Sequence, residues 1–172
     1  KLFDIEVVSL RLFNVYGTKS RTSGAYGAVL GVFFKQKLSK KPLTVVGDGL
    51  QSRDFVYVTD VADGFYKAAL SKRNGERYNL GAGNPQKIKY LAQLIGGDTI
   101  SLPKRPGEPN CTYADISKIK EHLFWKPKKK FEEGVSEMLR DIEYWKDAPL
   151  WDIEGINKAT ETWFKYMDKE KN

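Results

Sequence analysis

The chain has 172 residues, 41% apolar and 13% aromatic, enough to bury one sizeable core and to exclude a disordered or low-complexity polypeptide. Its 29 basic residues against 22 acidic ones leave a net charge of +7, which favours an anionic partner and leaves nucleotide, nucleic acid and acidic lipid open. A lone cysteine, Cys111, excludes an internal disulfide framework and suits a reducing compartment, by default the cytoplasm, and no apolar run reaches the roughly 20 residues of a membrane span.

Lys1-Leu2-Phe3-Asp4-Ile5-Glu6 lacks the order of a signal peptide, and the chain does not open on methionine, so we expect further sequence upstream. Residues 5–13, IEVVSLRLF, read as a buried strand that ends in a functional loop at Asn14-Val15-Tyr16-Gly17. From Tyr26 onward, Val29, Leu30, Phe33, Phe34 and Leu38 recur at helical spacing until Lys40-Lys41-Pro42 stops the run. Two β-prone runs, 43–46 and 55–58, follow. Thr59 is placed to cap a helix carrying Val61, Ala62, Phe65, Ala68 and Ala69 on one face, and Asn74-Gly75 then leads into a strand over 77–80 that Gly81-Ala82-Gly83 closes. Further helices are predicted over 88–95 with Gly96 as C-cap, over 116–123 behind Asp115, and over 131–145. A last helix spans 153–167, after the linker-like Asp147-Ala148-Pro149-Leu150. Strands alternating with helices define an α/β fold.

The stretch VVGDGLQSRDFVYV, residues 45–58, invites comparison with phosphate cradles. Gly47-Asp48-Gly49 lacks both the spacing and the lysine of a Walker loop, and Gly49 leads through Leu50-Gln51-Ser52 into a strand, where a dinucleotide fingerprint would open a helix. It reads instead as a turn in which Gly49 supplies a positive φ. Arg53 is not needed by such a turn. Its planar fork of donors suits diphosphate oxygens, while an ion pair with Asp54 or another carboxylate is the purely structural alternative.

Arg11-Leu12-Phe13-Asn14-Val15-Tyr16-Gly17, then Pro42-Leu43-Thr44-Val45-Val46-Gly47-Asp48-Gly49, then Arg53-Asp54-Phe55-Val56-Tyr57-Val58-Thr59-Asp60-Val61-Ala62 resemble, in that order, the extended short-chain dehydrogenase/reductase family. Within it the chain is similar to the NAD-dependent sugar-nucleotide epimerases and dehydratases of the UDP-glucose 4-epimerase kind. The resemblance continues through Tyr78-Asn79-Leu80-Gly81-Ala82-Gly83, Arg105-Pro106-Gly107-Glu108, Tyr113-Ala114-Asp115-Ile116-Ser117-Lys118 and Trp125-Lys126-Pro127, covering about residues 5–146. Two family motifs are missing. The nearest approach to the G-x-x-G-x-x-G fingerprint, Gly24-Ala25-Tyr26-Gly27-Ala28-Val29-Leu30, stops at leucine, and no tyrosine has a lysine four residues on. The resemblance therefore implies the C-terminal half of a Rossmann-type enzyme: late sheet strands plus a small α/β substrate-binding domain, with no catalytic residue in this chain. The implied division is a late sheet strand in 1–17, a substrate-binding region over 18–146 whose residues 53–83 pack back on the sheet, and an appended helix in 147–172.

The resemblance also implies roles, position by position. Phe13 would lie beside the nicotinamide end of NAD, mainly through its backbone, with most of the cofactor held by the absent half. Asn14 would bond the diphosphate of a UDP-sugar or related nucleotide sugar, with a strand-end cap as the structural alternative. Val29 would begin the helix lining the nucleotide pocket, and Thr44 and Val46 would meet base and ribose, Val46 standing where many members carry a stacking aromatic. Arg53 and Arg105 would clamp the diphosphate, and Glu108 would take the ribose hydroxyls. In the family a tyrosine base helps NAD oxidise the sugar at C4; an epimerase returns the hydride to the other face, and a dehydratase eliminates water. This half leaves those two outcomes open. The complete protein is expected to be a homodimer; this half standing alone would offer a pocket with only one wall.

Departures from the pattern are Thr18-Lys19 in place of Pro-Arg and Phe124 in place of a glycine. The appended helix carries Ile153, Ile156, Ala159, Trp163 and Met167 on one face and is expected to pack on the body, with subunit contact and ligand binding as alternatives. Lys126-Pro127-Lys128-Lys129-Lys130 has no interleaved aromatics and reads as a solvated helix entrance, so no nucleic acid and no membrane partner is expected. His122 has no partner at ligand spacing, so no metal is expected; Cys111 reads as a small packing residue, and Glu132 and Glu133 as first-turn charges. A nucleotide-sugar-binding protein without turnover and an RNA-binding surface are the rival classes.

Overall fold

The extended run that enters the fold changes partners half-way along. In the computed structural model, which describes residues 5–20 and 29–167, β1 (Ser9–Leu12) pairs in parallel with β6 (Arg77–Leu80), whereas β2 (Asn14–Tyr16) pairs in parallel with β5 (Phe55–Tyr57). Phe13 is the switch. Its N–H donates to the Leu80 carbonyl, and the next N–H, of Asn14, donates to that of Asp54. The predicted loop at 14–16 is thus a strand, and the predicted strand at 5–8 is not one. Val7 spends its backbone on the turn at 74–75, taking the Asn74 side-chain oxygen and the Gly75 N–H, which leaves Ile5 and Val7 exposed.

After α1 (Val29–Leu38), β3 (Leu43–Val46) pairs in parallel with the distant β8 (Thr99–Leu102). Gly47 and Gly49 turn the chain at φ +61° and +71° into the short β4 (Ser52–Arg53), which runs antiparallel to β7 (Gln86–Lys87). The turn reading of Gly47-Asp48-Gly49 holds, but the strands on either side of it do not form a hairpin. β5 leads straight into α2 (Val58–Leu70), whose N-cap is Tyr57 rather than Thr59 and makes no side-chain cap bond. The remaining helices are α3 (Ile88–Ile95) with Gly96 at its C-cap, α4 (Ser117–Leu123), α5 (Phe131–Arg140) and α6 (Ile153–Met167). Asp115 does serve α4, its Oδ1 accepting the Ser117 N–H at 2.9 Å. The long helix predicted over 131–145 breaks at Asp141 into α5 and a 3-10 turn, Ile142–Trp145. The stretches 1–4, 21–28 and 168–172 lie outside the described residues, and with them the glycines of the incomplete fingerprint and the predicted helix start at Tyr26.

β5 is buried on both faces, as parallel strands covered on both sides are. Phe55 and Tyr57 face one cluster with Tyr16, Leu30, Phe33, Phe34, Leu91, Phe131 and Trp145; Val56 faces a second with Val61, Tyr78, Leu80, Ile119 and Trp125. The face of α2 that meets the second cluster is only partly the predicted one: Val61 and Ala68 are buried as expected, together with Asp60 and Gly64, while Ala62, Phe65 and Ala69 are exposed. Gly64 decides this, because a Cβ there would lie 2.3 Å from Leu80 Cδ1. Asp60 Oδ2 accepts the N–H groups of Lys128 and Lys129, so the lysine run enters α5 through a backbone bond. Cys111 is exposed and contributes its backbone to a bridge with Ser52, not a packed side chain.

Asp54 ties these parts together. It is wholly buried, and its carboxylate accepts the N–H groups of Ala82, Gly83 and Ala114. Asp54→Ala strands three donors, that of Ala114 buried and those of Ala82 and Gly83 half-buried, at roughly 1 kcal/mol each. We expect a loss of about 3 kcal/mol and a fall of roughly 10 °C in melting temperature by calorimetry.

A second cluster carries a pH dependence. Tyr57 Oη donates to Glu137 Oε2 at 2.7 Å and Lys129 Nζ to Glu137 Oε1. The Lys129 bond, then the Tyr57 bond, hold the Glu137 carboxyl below the usual carboxylate range, while burial and then Glu137 push the Tyr57 phenol up. A carboxyl lowered by folding stabilises above its unfolded pKa and loses that contribution as pH falls through the folded one. Melting curves on acidification should therefore fall less steeply in Glu137→Gln than in the parent, the two converging at low pH.

Candidate functional site

Arg53 ends β4, held from both sides by its short ladder and by the bond from Thr112 N–H to the Ser52 carbonyl. The guanidinium folds over the 105–110 segment: Nη1 donates to the Pro109 carbonyl at 2.9 Å and to that of Ser52 at 2.8 Å, and Nη2 meets Glu108 Oε1 at 2.6 Å. The carboxylate partner is thus Glu108, not the adjacent Asp54. Among the described residues Glu108 Oε2 is buried without a hydrogen-bond partner, an acceptor left available in the wall. A tight turn, closed by Glu108 N–H donating to the Arg105 carbonyl, brings Arg105 and Glu108 to the same place.

Beside this cluster lies a cavity of about 260 Å³. Asn14, Val29, Thr44, Val46, Arg53, Arg105 and Glu108 all line it, so seven positions spread over 95 residues of sequence converge on one space. Phe13 does not line it and packs on the second core cluster. Asn14 Oδ1 accepts from Thr112 Oγ1 at 3.2 Å, which leaves its amide NH₂ as the donor it can offer. Leu30 and Phe33 of α1, Phe55, Ile88 and Leu102 complete an apolar floor. Lining comes from strands, helices and a turn of this chain.

Several lining residues escaped the sequence reading. Gln51 borders the cavity with its Nε2 bonded to the Val46 carbonyl at 2.9 Å. Gln36 is 1% exposed and acts from behind: its Oε1 accepts the Thr44 N–H, and its Nε2 donates to Thr44 Oγ1 at 2.8 Å and to the Trp151 carbonyl at 2.7 Å. Its spacing from Phe33 on the apolar side of α1 was the one available signal, masked by flanking lysines. Trp151, Ile156, Ala159 and Thr160 also line the cavity, although packing on the body was the first expectation for the appended helix. It does both, since Trp163 Nε1 donates to the Pro106 carbonyl at 2.8 Å.

Comparison with known proteins places the chain. The profile of the NAD-dependent epimerase/dehydratase family matches residues 1–81. An uncharacterized UDP-glucose epimerase of Bacillus subtilis, YtcB, is 39% identical over 142 residues, covering 78% of this chain and 43% of that protein. The chain belongs to the NAD-dependent epimerase/dehydratase family. A family relative of different chemistry, UDP-glucuronic acid decarboxylase 1 of Arabidopsis thaliana, is 34% identical, covering 80% of this chain and 32% of the relative. The crystal structure of UDP-glucuronic acid 4-epimerase from Bacillus cereus, in complex with UDP-glucuronic acid and NAD, superposes with a TM-score of 0.73 at 35% identity, over 82% of this chain and 46% of that one. The fold is therefore that of part of a Rossmann-type extended short-chain dehydrogenase, and the chain spans less than half the length of the curated relatives it matches.

Gln36→Leu keeps the volume in α1 but strands the Thr44 N–H and frees the Trp151 carbonyl. Denaturant unfolding should show a loss of about 2 kcal/mol, with a shift in tryptophan emission as the Trp151 segment loosens.

Proposed function

We propose that this chain is the nucleotide-sugar-binding half of an NAD-dependent UDP-sugar 4-epimerase. The observation that carries the reading is the convergence of Asn14, Thr44, Val46, Arg53, Arg105 and Glu108 on one cavity, with two arginines and one incompletely bonded carboxylate in its lining. A nucleoside diphosphate brings about two negative charges, more than the single carboxylate now on Arg53. On this reading the diphosphate replaces Glu108 on the Arg53 fork, Arg105 closes from the turn, and Glu108 turns its oxygens to the ribose hydroxyls. Asn14 adds its amide NH₂, and Thr44 and Val46 border the base.

NAD, when bound, would take a hydride from C4 of the sugar. This chain would touch only the nicotinamide end, at Phe13, whose N–H is spent on Leu80 while its carbonyl, accepting from Val15 N–H, keeps a lone pair. Among the described residues no glycine turn opens a helix in the dinucleotide manner, so the cofactor's phosphates are assigned to the part of the protein beyond this chain. A tyrosine–lysine catalytic pair is assigned there too, which makes this chain inactive by itself. Homodimerisation, a cytoplasmic location and the division into sheet strand, substrate region and appended helix belong to the same proposal.

A 4,6-dehydratase is the second reading. Among the described residues Glu108 is the one carboxylate lining the cavity and it is engaged by Arg53, so the described lining offers no acid that would choose between turning the sugar and eliminating water. Calorimetric titration tests the binding claim. UDP should bind the chain, and Arg53→Ala should weaken it by about 2 kcal/mol, roughly thirtyfold, as for a lost charge-assisted contact; equal affinity in the two proteins sinks the clamp.

A further inference from the structure

The family pattern read in the sequence ends near Trp145, yet α6, beyond it, reaches the cavity. The helix is tied near both ends. Before it, Gln36 holds the Trp151 carbonyl and Thr44 together; towards its end, Trp163 holds the Pro106 carbonyl and Met167 lies against Gly107. At 15 residues it is about 22 Å long, so it runs from the Thr44 side of the cavity to the turn that carries Arg105 and Glu108.

Ile156, Ala159, Thr160, Trp163 and Met167 fall at helical spacings on one stripe, and the first three line the cavity. The other amphipathic helices bury their apolar stripes in the two cores, but no residue of α6 is buried. The Ile156, Ala159 and Thr160 part of its stripe faces the cavity. The chemistry of that surface is one-sided: Ile156 and Ala159 carry no polar group, and Thr160 Oγ1 donates its proton to the Ile156 carbonyl at 2.8 Å. Such a wall offers no donor to a phosphate. It suits the flat, weakly charged face of a nucleobase, with the arginines left for the diphosphate. Volume matters as well, because about 260 Å³ falls short of the roughly 300 Å³ at which ligand pockets usually begin.

We propose that α6 is the wall of the nucleoside end of the substrate site, and that side-chain volume at Ile156 and Ala159 selects a one-ring pyrimidine base over a two-ring purine. The assignment rests on the nucleotide-binding reading above and adds residues and a selectivity to it.

Titration of the 172-residue chain with UDP and with ADP tests it, using Ala159→Trp, Ile156→Ala and Lys158→Ala, the last an exposed position off the lining. The parent should prefer UDP by about tenfold or more, as hydrophobic pockets discriminate size. Ala159→Trp should weaken UDP by about tenfold, and Ile156→Ala should cut the preference to roughly threefold or less by admitting ADP; Lys158→Ala should change neither. Ile156→Ala only removes volume, so it keeps the test decisive if the tryptophan variant fails to fold. Equal affinity of the parent for UDP and ADP, or a preference unmoved in Ile156→Ala, overturns the assignment while leaving nucleotide binding intact. A parent that binds neither nucleotide overturns both readings.

Discussion

The structure turns on one buried carboxylate. Asp54 stands where the entering strand leaves β6 for β5. Its main chain receives the Asn14 N–H, and its side chain receives three more N–H groups from the turn after β6 and from Ala114. Without it the two ladders share only the single link at Phe13. The site allows no bulk: a Cβ on Gly81 would lie 2.4 Å from that of Ala114 and 2.9 Å from Asp54 Oδ1. A carboxylate can serve three donors where an amide oxygen serves fewer, which is why an acid is used in so dry a place.

The same strand connects this anchor to the cavity. Successive side chains on an extended chain point to opposite sides, so Asp54 turns to the core and Arg53, one residue earlier, to the cavity lining. Rigidity at Asp54 therefore becomes positional precision at Arg53. Glu108 completes the arrangement by supplying a negative charge to a guanidinium only 12% exposed. A cation held that far from water needs a counter-charge at all times; without a ligand, the protein provides one.

Legibility in the sequence followed the range of the forces involved. Helices α1, α3 and α6 were visible in their periodicity and terminators, and the ordered motifs identified the residues that gather at the cavity. Strand partners were not visible, because β3 pairs with β8 across more than fifty residues and nothing local records that choice. The α2 face was misread for a different reason. Periodicity weighs apolar bulk, whereas α2 packs through Gly64, Ala68 and the bonded Asp60 and leaves Phe65 and Tyr66 to solvent. Gln36 escaped because it works through neighbours distant in sequence, and the stripe on α6, visible in its periodicity, carried no local sign that it borders a cavity.

β1 has a ladder on one side only among the described residues, and its second edge carries Ser9, Arg11 and Leu12 exposed to solvent. An unpaired parallel edge presents a row of unspent amides and carbonyls, a template for any extended segment that meets it. Arg11 supplies the one charge on this edge that opposes uninvited pairing. A strand added beside β1 would extend the ladder that β6 begins, and it would meet the Arg11 charge as it did so.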